Sequence, residues 1–239
     1  MVKNCRFAFA VGAGALLVFS TASHAEIVNT NADLLNNKKT AAYIYSRPMV
    51  EAMYKLAVEQ DKKFGLQQNC KSEYRVEPFS IAILSPIDFP EDKQHPTKGI
   101  WNFRYQLQRC GESKFYNTLF FANSGGETAS TARAYYPGKS NAGPILIKDA
   151  MLSAAPIGLI QSGLKDCKEF DVFDMHVTET AHNVVDGGKT FKGVWGETWT
   201  FRMCGQMVDV AITFIPDATG GGTSFMIAPI KPNDATAKP

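Results

Sequence analysis

Neither sign of charge dominates this sequence. Its 239 residues carry 25 lysines and arginines against 23 aspartates and glutamates, with no basic run among them. That balance excludes nucleic acid or an anionic membrane surface as the main partner. Histidine is scarce, at four in the chain. Long apolar runs are scarcer still: the only one, residues 7–19, falls short of the roughly 20 residues that a bilayer requires. Lys3 and Arg6 precede this run and Ser23-His24-Ala25 follows it, which is the tripartite form of a secretory signal peptide over residues 1–25, with cleavage expected before Glu26. Removal of that segment takes Cys5, Lys3 and Arg6 with it. The mature chain is then formally neutral, with no membrane span and an even set of cysteines, which in an exported protein predicts two disulfides and a periplasmic or extracellular location.

What the sequence does contain is a repeat. GIWNFRYQLQRCG (residues 99–111) has a counterpart in GVWGETWTFRMCG (residues 193–205), with a tryptophan nine residues before a Cys-Gly in each. An earlier cysteine precedes each segment, Cys70 ahead of Cys110 and Cys167 ahead of Cys204, and a glycine cluster follows each, Gly125-Gly126 and Gly220 to Gly222. Internal self-similarity of this kind points to two related halves.

Each half reads as a run of strands. Trp101, Phe103, Tyr105 and Leu107 share one parity, and Trp195, Trp199, Phe201 and Met203 share the equivalent one, the period of a half-buried strand. Glu197 breaks the second apolar row. Residues 115–123 and 208–217 are rich in β-branched and aromatic residues; the first of these is apolar on both parities and therefore expected to be covered twice. Residues 72–84 and 168–180 alternate too, but each changes phase midway, predicting bulges near Pro78 and at Val172 to Phe173. Short fourth strands are expected at residues 129–136 and 223–228. In a long hairpin the start of one strand lies beside the end of the next, so the cysteines are expected to pair as Cys70–Cys110 and Cys167–Cys204.

Ahead of the first cysteine, Ser46, Pro48 and Gly65 bracket a helical stripe over about residues 46–64. The second copy carries Pro156 within its helical stretch, predicting a broken or shortened helix. Residues 137–144 (PGKSNAGP) read as a linker, and residues 231–239 as a disordered tail. The expected organisation is therefore a first half over residues 26–136, a linker, and a second half over residues 145–230. The fold class is α+β: two duplicated halves, each a helix packed on a short antiparallel β-meander, with one disulfide per half.

Candidate sites are few. His176 and His182 share parity, but six strand residues span about 20 Å, too far to share an ion, so no metal or other cofactor is expected. Asp186 to Thr190 (DGGKT) ends like a phosphate-binding loop, yet Asn183 stands where that motif needs glycine and a strand follows where it needs a helix. No Gly-x-Ser-x-Gly elbow is present, and nothing in the sequence alone brings Asp171, Asp174, Glu179 or Glu197 together as a carboxylate pair. No catalytic residue is therefore assigned. Trp101, Tyr105, Trp195 and Trp199 suit core packing by parity, or an aromatic platform for a protein or carbohydrate ligand, with Glu197 between its tryptophans favouring an open groove.

The order of tryptophan, alternating run, Cys-Gly, strand and glycine cluster, best preserved from Trp195 through Pro216-Asp217 to Gly222, resembles a motif of uncharacterised secreted or periplasmic proteobacterial proteins. That resemblance implies a compartment and no activity; the first half departs from it with Ala122-Asn123 in place of Pro-Asp. The expected function is an exported non-catalytic binding or interaction protein, a class that includes secreted virulence-associated factors. The alternatives are a hydrolase acting on an envelope or host polymer in a groove between the halves, and a structural envelope component.

Overall fold

A computed structural model describes residues 16–18, 37–67, 69–70, 75–218 and 221–228. In the first half, helices α1 (Lys38–Ile44) and α2 (Arg47–Phe64) precede strands β2 (Arg75–Asp88), β3 (Lys98–Arg109), β4 (Glu112–Phe121) and β5 (Thr131–Ala134). Helix α3 (Pro144–Gln161) then leads into β6 (Phe170–Asp186), β7 (Lys189–Met203), β8 (Gln206–Pro216) and β9 (Thr223–Ile227). All pairings are antiparallel and sequential, giving one sheet in the order β2-β3-β4-β5 and another in the order β9-β8-β7-β6. A further three-residue strand, β1 (Leu16–Val18), pairs with the outer edge of β9. It lies inside the segment read as a cleavable leader; the rest of that segment, and the tail expected over residues 231–239, fall outside the described residues.

The two sheets share several local features. The β3–β4 and β7–β8 hairpins each close through a two-residue Cys-Gly turn, with φ of 46° and 82° at Cys110 and Gly111, and 45° and 83° at Cys204 and Gly205. Two central residues at positive φ give the turn a twist that matches the flanking strands. The cysteine in each turn is bonded to the one ahead of the first long strand, Cys70–Cys110 and Cys167–Cys204, both with Cα atoms 5.9 Å apart. Loops of 40 and 37 residues closed in this way each stabilise the fold by about 4 kcal/mol in the chain-entropy account. The predicted bulges are present, as register shifts between Pro78 and Ser80 and between Val172 and Asp174. Trp101 stacks on Phe120 with ring centres 5.5 Å apart, and Trp195 stacks on Phe214 at 4.9 Å, both with planes inclined by 13°.

Each sheet shares a hydrophobic cluster with a helix. Met49, Met53 and Ala57 of α2 lie with Trp101, Phe103, Tyr105 and Phe120; Ile147, Ala150 and Ala154 of α3 lie with Trp199, Phe201, Val210 and Phe214. Helix α2 begins after Ser46 with Pro48 in its first turn and ends on Gly65 in the left-handed conformation (φ 73°). Helix α3 corrects an expectation, because it runs unbroken through Pro156 for 18 residues. The hydrogen bond that proline removes is the one to Leu152, whose side chain is 72% exposed. That turn of the helix faces water, which can satisfy the freed carbonyl.

The stretch read as a linker is a strap wedged between the sheets. Pro137, Gly138, Ser140 and Ala142 are all buried. The Gly138 N–H donates to Phe115 O of β4 (2.9 Å) and the Lys139 N–H to Met175 O of β6 (2.7 Å), so consecutive residues are tied to the two sheets. On the β4 side Asn117 Nδ2 donates to Tyr136 O (2.8 Å) and Gly138 O (3.0 Å), and Arg104 Nη1 donates to Ser140 O (2.5 Å). The strap thereby covers backbone edges that would otherwise invite foreign strands.

Only glycine fits at the crossing. Gly138 has φ of 111°, and a Cβ there would lie 2.1 Å from Met175 N. Gly138→Ala is expected to destabilise the protein by about 3 kcal/mol. Gly187→Ala, where a Cβ would meet nothing within 4 Å, is expected to cost about 1 kcal/mol for its left-handed backbone alone. Urea unfolding of the two variants separates the effects, and equal losses would contradict a close-packed strap.

Candidate functional site

The five residues proposed from sequence as an aromatic platform are all inside the protein. Trp101, Tyr105 and Trp199 are at most 1% exposed, Glu197 is 1% exposed and Trp195 is 8% exposed. An open ligand platform needs exposed ring faces, and these rings face the helices and the neighbouring strand. Glu197, which favoured the open groove, has instead a complete set of internal partners. Its Oε1 accepts from Trp195 Nε1 (2.8 Å), Asn141 N (2.7 Å) and Ala142 N (3.4 Å), and its Oε2 accepts from Trp199 Nε1 (2.8 Å). A buried carboxylate is tolerable when donors surround it in this way. Here it fastens the end of the strap to the second sheet.

The first half solves the same position differently. Phe103 stands where the second half has Glu197, and Trp101 Nε1 is buried with no hydrogen-bond partner among the described residues. Tyr105 donates from its hydroxyl to Met53 O of α2 (2.7 Å). Nearby, Asp61 of α2 pairs with Arg109 of β3 (2.7 Å) and accepts from the Tyr116 hydroxyl. Burial, followed by the contact with Asp61, holds the Tyr116 hydroxyl far above its ordinary value. This network anchors the helix to its own sheet.

Among the described residues, clefts open at two places along the seam between the halves. The larger, of 560 Å³, is framed by α2 through Leu56, Gln60 and Phe64, by Tyr135 and Tyr136 at the start of the strap, and by Phe170 of β6. Phe170 is 44% exposed, and the Tyr135 and Tyr136 ring centres lie 4.7 Å apart. Polar groups rim it. Glu59 lies on its wall, and Lys63 of α2 pairs with Asp171 of β6 (2.5 Å), joining the halves beside it. The smaller cleft, of 460 Å³, lies between β4 and β6 beside the strap and is lined by Lys114, Lys139, Asp174 and His176 among others. The sequence places Asp171 and Asp174 only among possible carboxylate pairs, His176 only with His182 as a possible metal pair and Val172 only at a bulge, and it marks neither cleft. The one available signal was the two-sided apolar character of β4: Phe115, on the parity away from buried Tyr116 and Phe120, is covered by Phe79 (ring centres 5.1 Å apart) and by the strap.

Lys114 and Asp174 are the most perturbed charges in the seam. Lys114 Nζ donates to Phe173 O (2.8 Å) and sits 3.9 Å from the centre of the Phe173 ring. Burial lowers its ammonium below the ordinary lysine range, against the pull of Asp174 and Asp61. Burial likewise raises the Asp174 carboxyl, opposed first by Lys114. An acid whose folded pKa is raised binds its proton more tightly in the folded state. Its contribution to stability is therefore full below the unfolded pKa and is lost as pH rises through the folded one. The lysine runs the other way, with its penalty present below its lowered folded pKa and relieved as pH rises beyond it.

The remaining candidates occupy other places. His182 is an exposed strand residue whose Nδ1 lies 2.9 Å from Thr180 O, on the part of the β6–β7 hairpin that continues past the sheet. Asp186 to Thr190 forms the tip of that hairpin, with Gly187 and Gly188 at positive φ between the paired Asp186 and Lys189. Among the described residues no three of His, Cys, Asp and Glu are grouped to hold a metal ion, and no helix is long and apolar enough to cross a membrane. Comparison of the chain with protein-family models, with curated proteins and with solved structures gives no significant match to any of them.

Two outcomes follow from these contacts. Glu197→Gln replaces one of the two accepting oxygens with a donor facing another N–H, so it is expected to lose about 1–3 kcal/mol of stability. The exposed Glu179→Gln should stay within about 0.5 kcal/mol of the parent; denaturant melts with tryptophan fluorescence compare them directly. Lys114→Met removes the first group opposing the rise of the Asp174 pKa, so the Asp174 carboxyl midpoint measured by ¹³C NMR should move upward. An unmoved midpoint would show that the two groups are not coupled.

Proposed function

We propose that the protein is an exported, non-catalytic binding protein built from two copies of one α+β unit, holding its ligand in the larger cleft at the seam. The observation that carries this reading is the composition of the 560 Å³ cleft: aromatic rings from both halves, with carboxylate and amide groups at their edges. Half-exposed rings beside hydrogen-bonding side chains suit a sugar, whose C–H faces stack on aromatics while its hydroxyls find polar partners. Two disulfides fit the oxidising periplasm or extracellular medium, the compartment that the N-terminal segment and the resemblance to secreted proteobacterial proteins also favour. The repeated turn geometry and the equivalent Trp–Phe stacks support descent of the halves from one unit.

The position of the cleft between the halves also keeps the polymer hydrolase as a second reading, with Glu59 and Asp171 as the acids on its wall. Titration of the ¹⁵N-labelled protein with cellohexaose, chitohexaose and maltohexaose separates the two. Binding predicts saturable shifts at Lys63, Tyr136, Phe170 and Asp171 with the oligosaccharide recovered intact, and a loss of roughly tenfold in affinity for Phe170→Ala. Release of new reducing ends would favour the hydrolase, and shifts confined to other surfaces would remove the cleft from consideration.

A further inference from the structure

We propose that the smaller cleft is a second, separate site that binds a small organic oxyanion, with an apolar body lying against its apolar lining and the acid group held by its bases. Its 460 Å³ is in the range of a small-molecule pocket. Its lining includes the apolar Phe115, Met175 and Val177, of which Phe115 and Val177 are partly exposed. The ionisable groups on its wall are Lys114, Lys139, Asp174 and His176, so three nitrogen bases face a single acid.

These groups divide into two sets. Lys114 and Asp174 are partly buried neighbours that offset one another, and Lys114 is anchored to the Phe173 carbonyl and ring. Lys139 and His176 are exposed, and among the described residues no acid lies within ion-pair distance of either, although His176 acts on the Asp174 carboxyl alongside Lys114. Lys139 is also held in position. Its backbone N–H is fixed to Met175 O (2.7 Å), and its ammonium lies 4.8 Å from the Phe79 ring centre and 5.7 Å from that of Phe115. Ser113 and Thr180 add hydroxyls at the rim. Two lysines and a histidine beside a single carboxylate, next to the apolar Phe115 and Val177, match a ligand carrying net negative charge on a compact apolar body. The site shares no lining residue with the larger cleft, so it stands or falls apart from the sugar reading.

The test uses the intact, disulfide-bonded protein and three probes of nearly equal shape: benzoate, phenyl phosphate and the neutral benzamide. Each is titrated at pH 7 and low salt while backbone NMR shifts are followed. Saturable shifts are expected at Ser113 to Phe115, at Lys139 and at Asp174 to Val177, with benzamide at least roughly fivefold weaker than the better anion. Whether benzoate or phenyl phosphate binds tighter assigns the acid group as carboxylate or phosphate. Lys139→Ala and His176→Ala change exposed side chains and should leave the fold intact, and each should weaken the anion by roughly threefold to fivefold, while Lys139→Arg retains binding. Higher salt should weaken the anion and leave benzamide unchanged. The proposal is overturned if benzamide binds as well as the anions, if the anion shifts lie elsewhere or never saturate, or if both alanine variants bind the anion as the parent does.

Discussion

The structure turns on one buried carboxylate. Taking Glu197 out of water would cost several kcal/mol if it were left unanswered, and four N–H groups converge on its two oxygens to meet that demand. Because the donors come from different parts of the chain, satisfying the charge fixes several things at once. The two indoles set the orientation of Trp195 and Trp199 within the second core. The backbone donors at Asn141 and Ala142 set where the strap ends, and α3 begins two residues later at Pro144. A neutral side chain of the same size could fill the space, but it could not gather four donors to one point. This is the sense in which a buried charge specifies an arrangement rather than simply stabilising it.

The comparison between the halves sharpens the point. On strand pairs with the same Cys-Gly turn, disulfides closing loops of 40 and 37 residues and matching Trp–Phe stacks, one half carries Phe103 and the other Glu197. The first half has no strap end to hold at that place, and its helix is tied in by Tyr105 to Met53 and by Asp61 to Arg109. The unpartnered Trp101 Nε1 marks the position that a carboxylate serves in the other half. The two halves thus carry two anchoring schemes, one holding a helix to its own sheet and one holding the connection between sheets.

How much of this could be read beforehand depends on the range of the interaction. Strand parity, the bulges near Pro78 and Val172, the Cys-Gly turns and the cysteine pairing all rest on neighbours in one hairpin, and each leaves a mark in the local pattern of residues. The strap left none. PGKSNAGP has the composition of a flexible connection, and it is ordered by Phe115, Asn117, Met175 and Glu197, which lie tens of residues away. The same holds for Glu197 itself: its parity with two tryptophans was plain, yet whether that pointed to a groove or to a buried latch depended on donors from another segment. Helix α3 shows the reverse failure. Pro156 gave a strong local signal to stop, and packing of Ile147, Ala150, Ala154 and Gly158 against the sheet overrode it, with the lost hydrogen bond on the watery side.

The strap also bears on what kind of site the seam provides. Were residues 137–144 a loose tether, the contacts left between the halves would include Lys63–Asp171, Arg202 to the Lys63 carbonyl, Lys114 to the Phe173 carbonyl and the Phe64–Phe173 ring pair, and partly exposed polar contacts of this kind are individually weak. A hinge would then be the natural expectation, with ligand closing the gap between two moving bodies. Instead Gly138 and Lys139 carry backbone hydrogen bonds to both sheets, and the space at Gly138 admits no side chain. Strand β4, the strap and β6 thereby form one continuous array across the seam. Clefts bordered by such an array are largely preformed. A ligand entering either of them has little protein to order, so a modest contact surface retains more of its interaction energy as affinity.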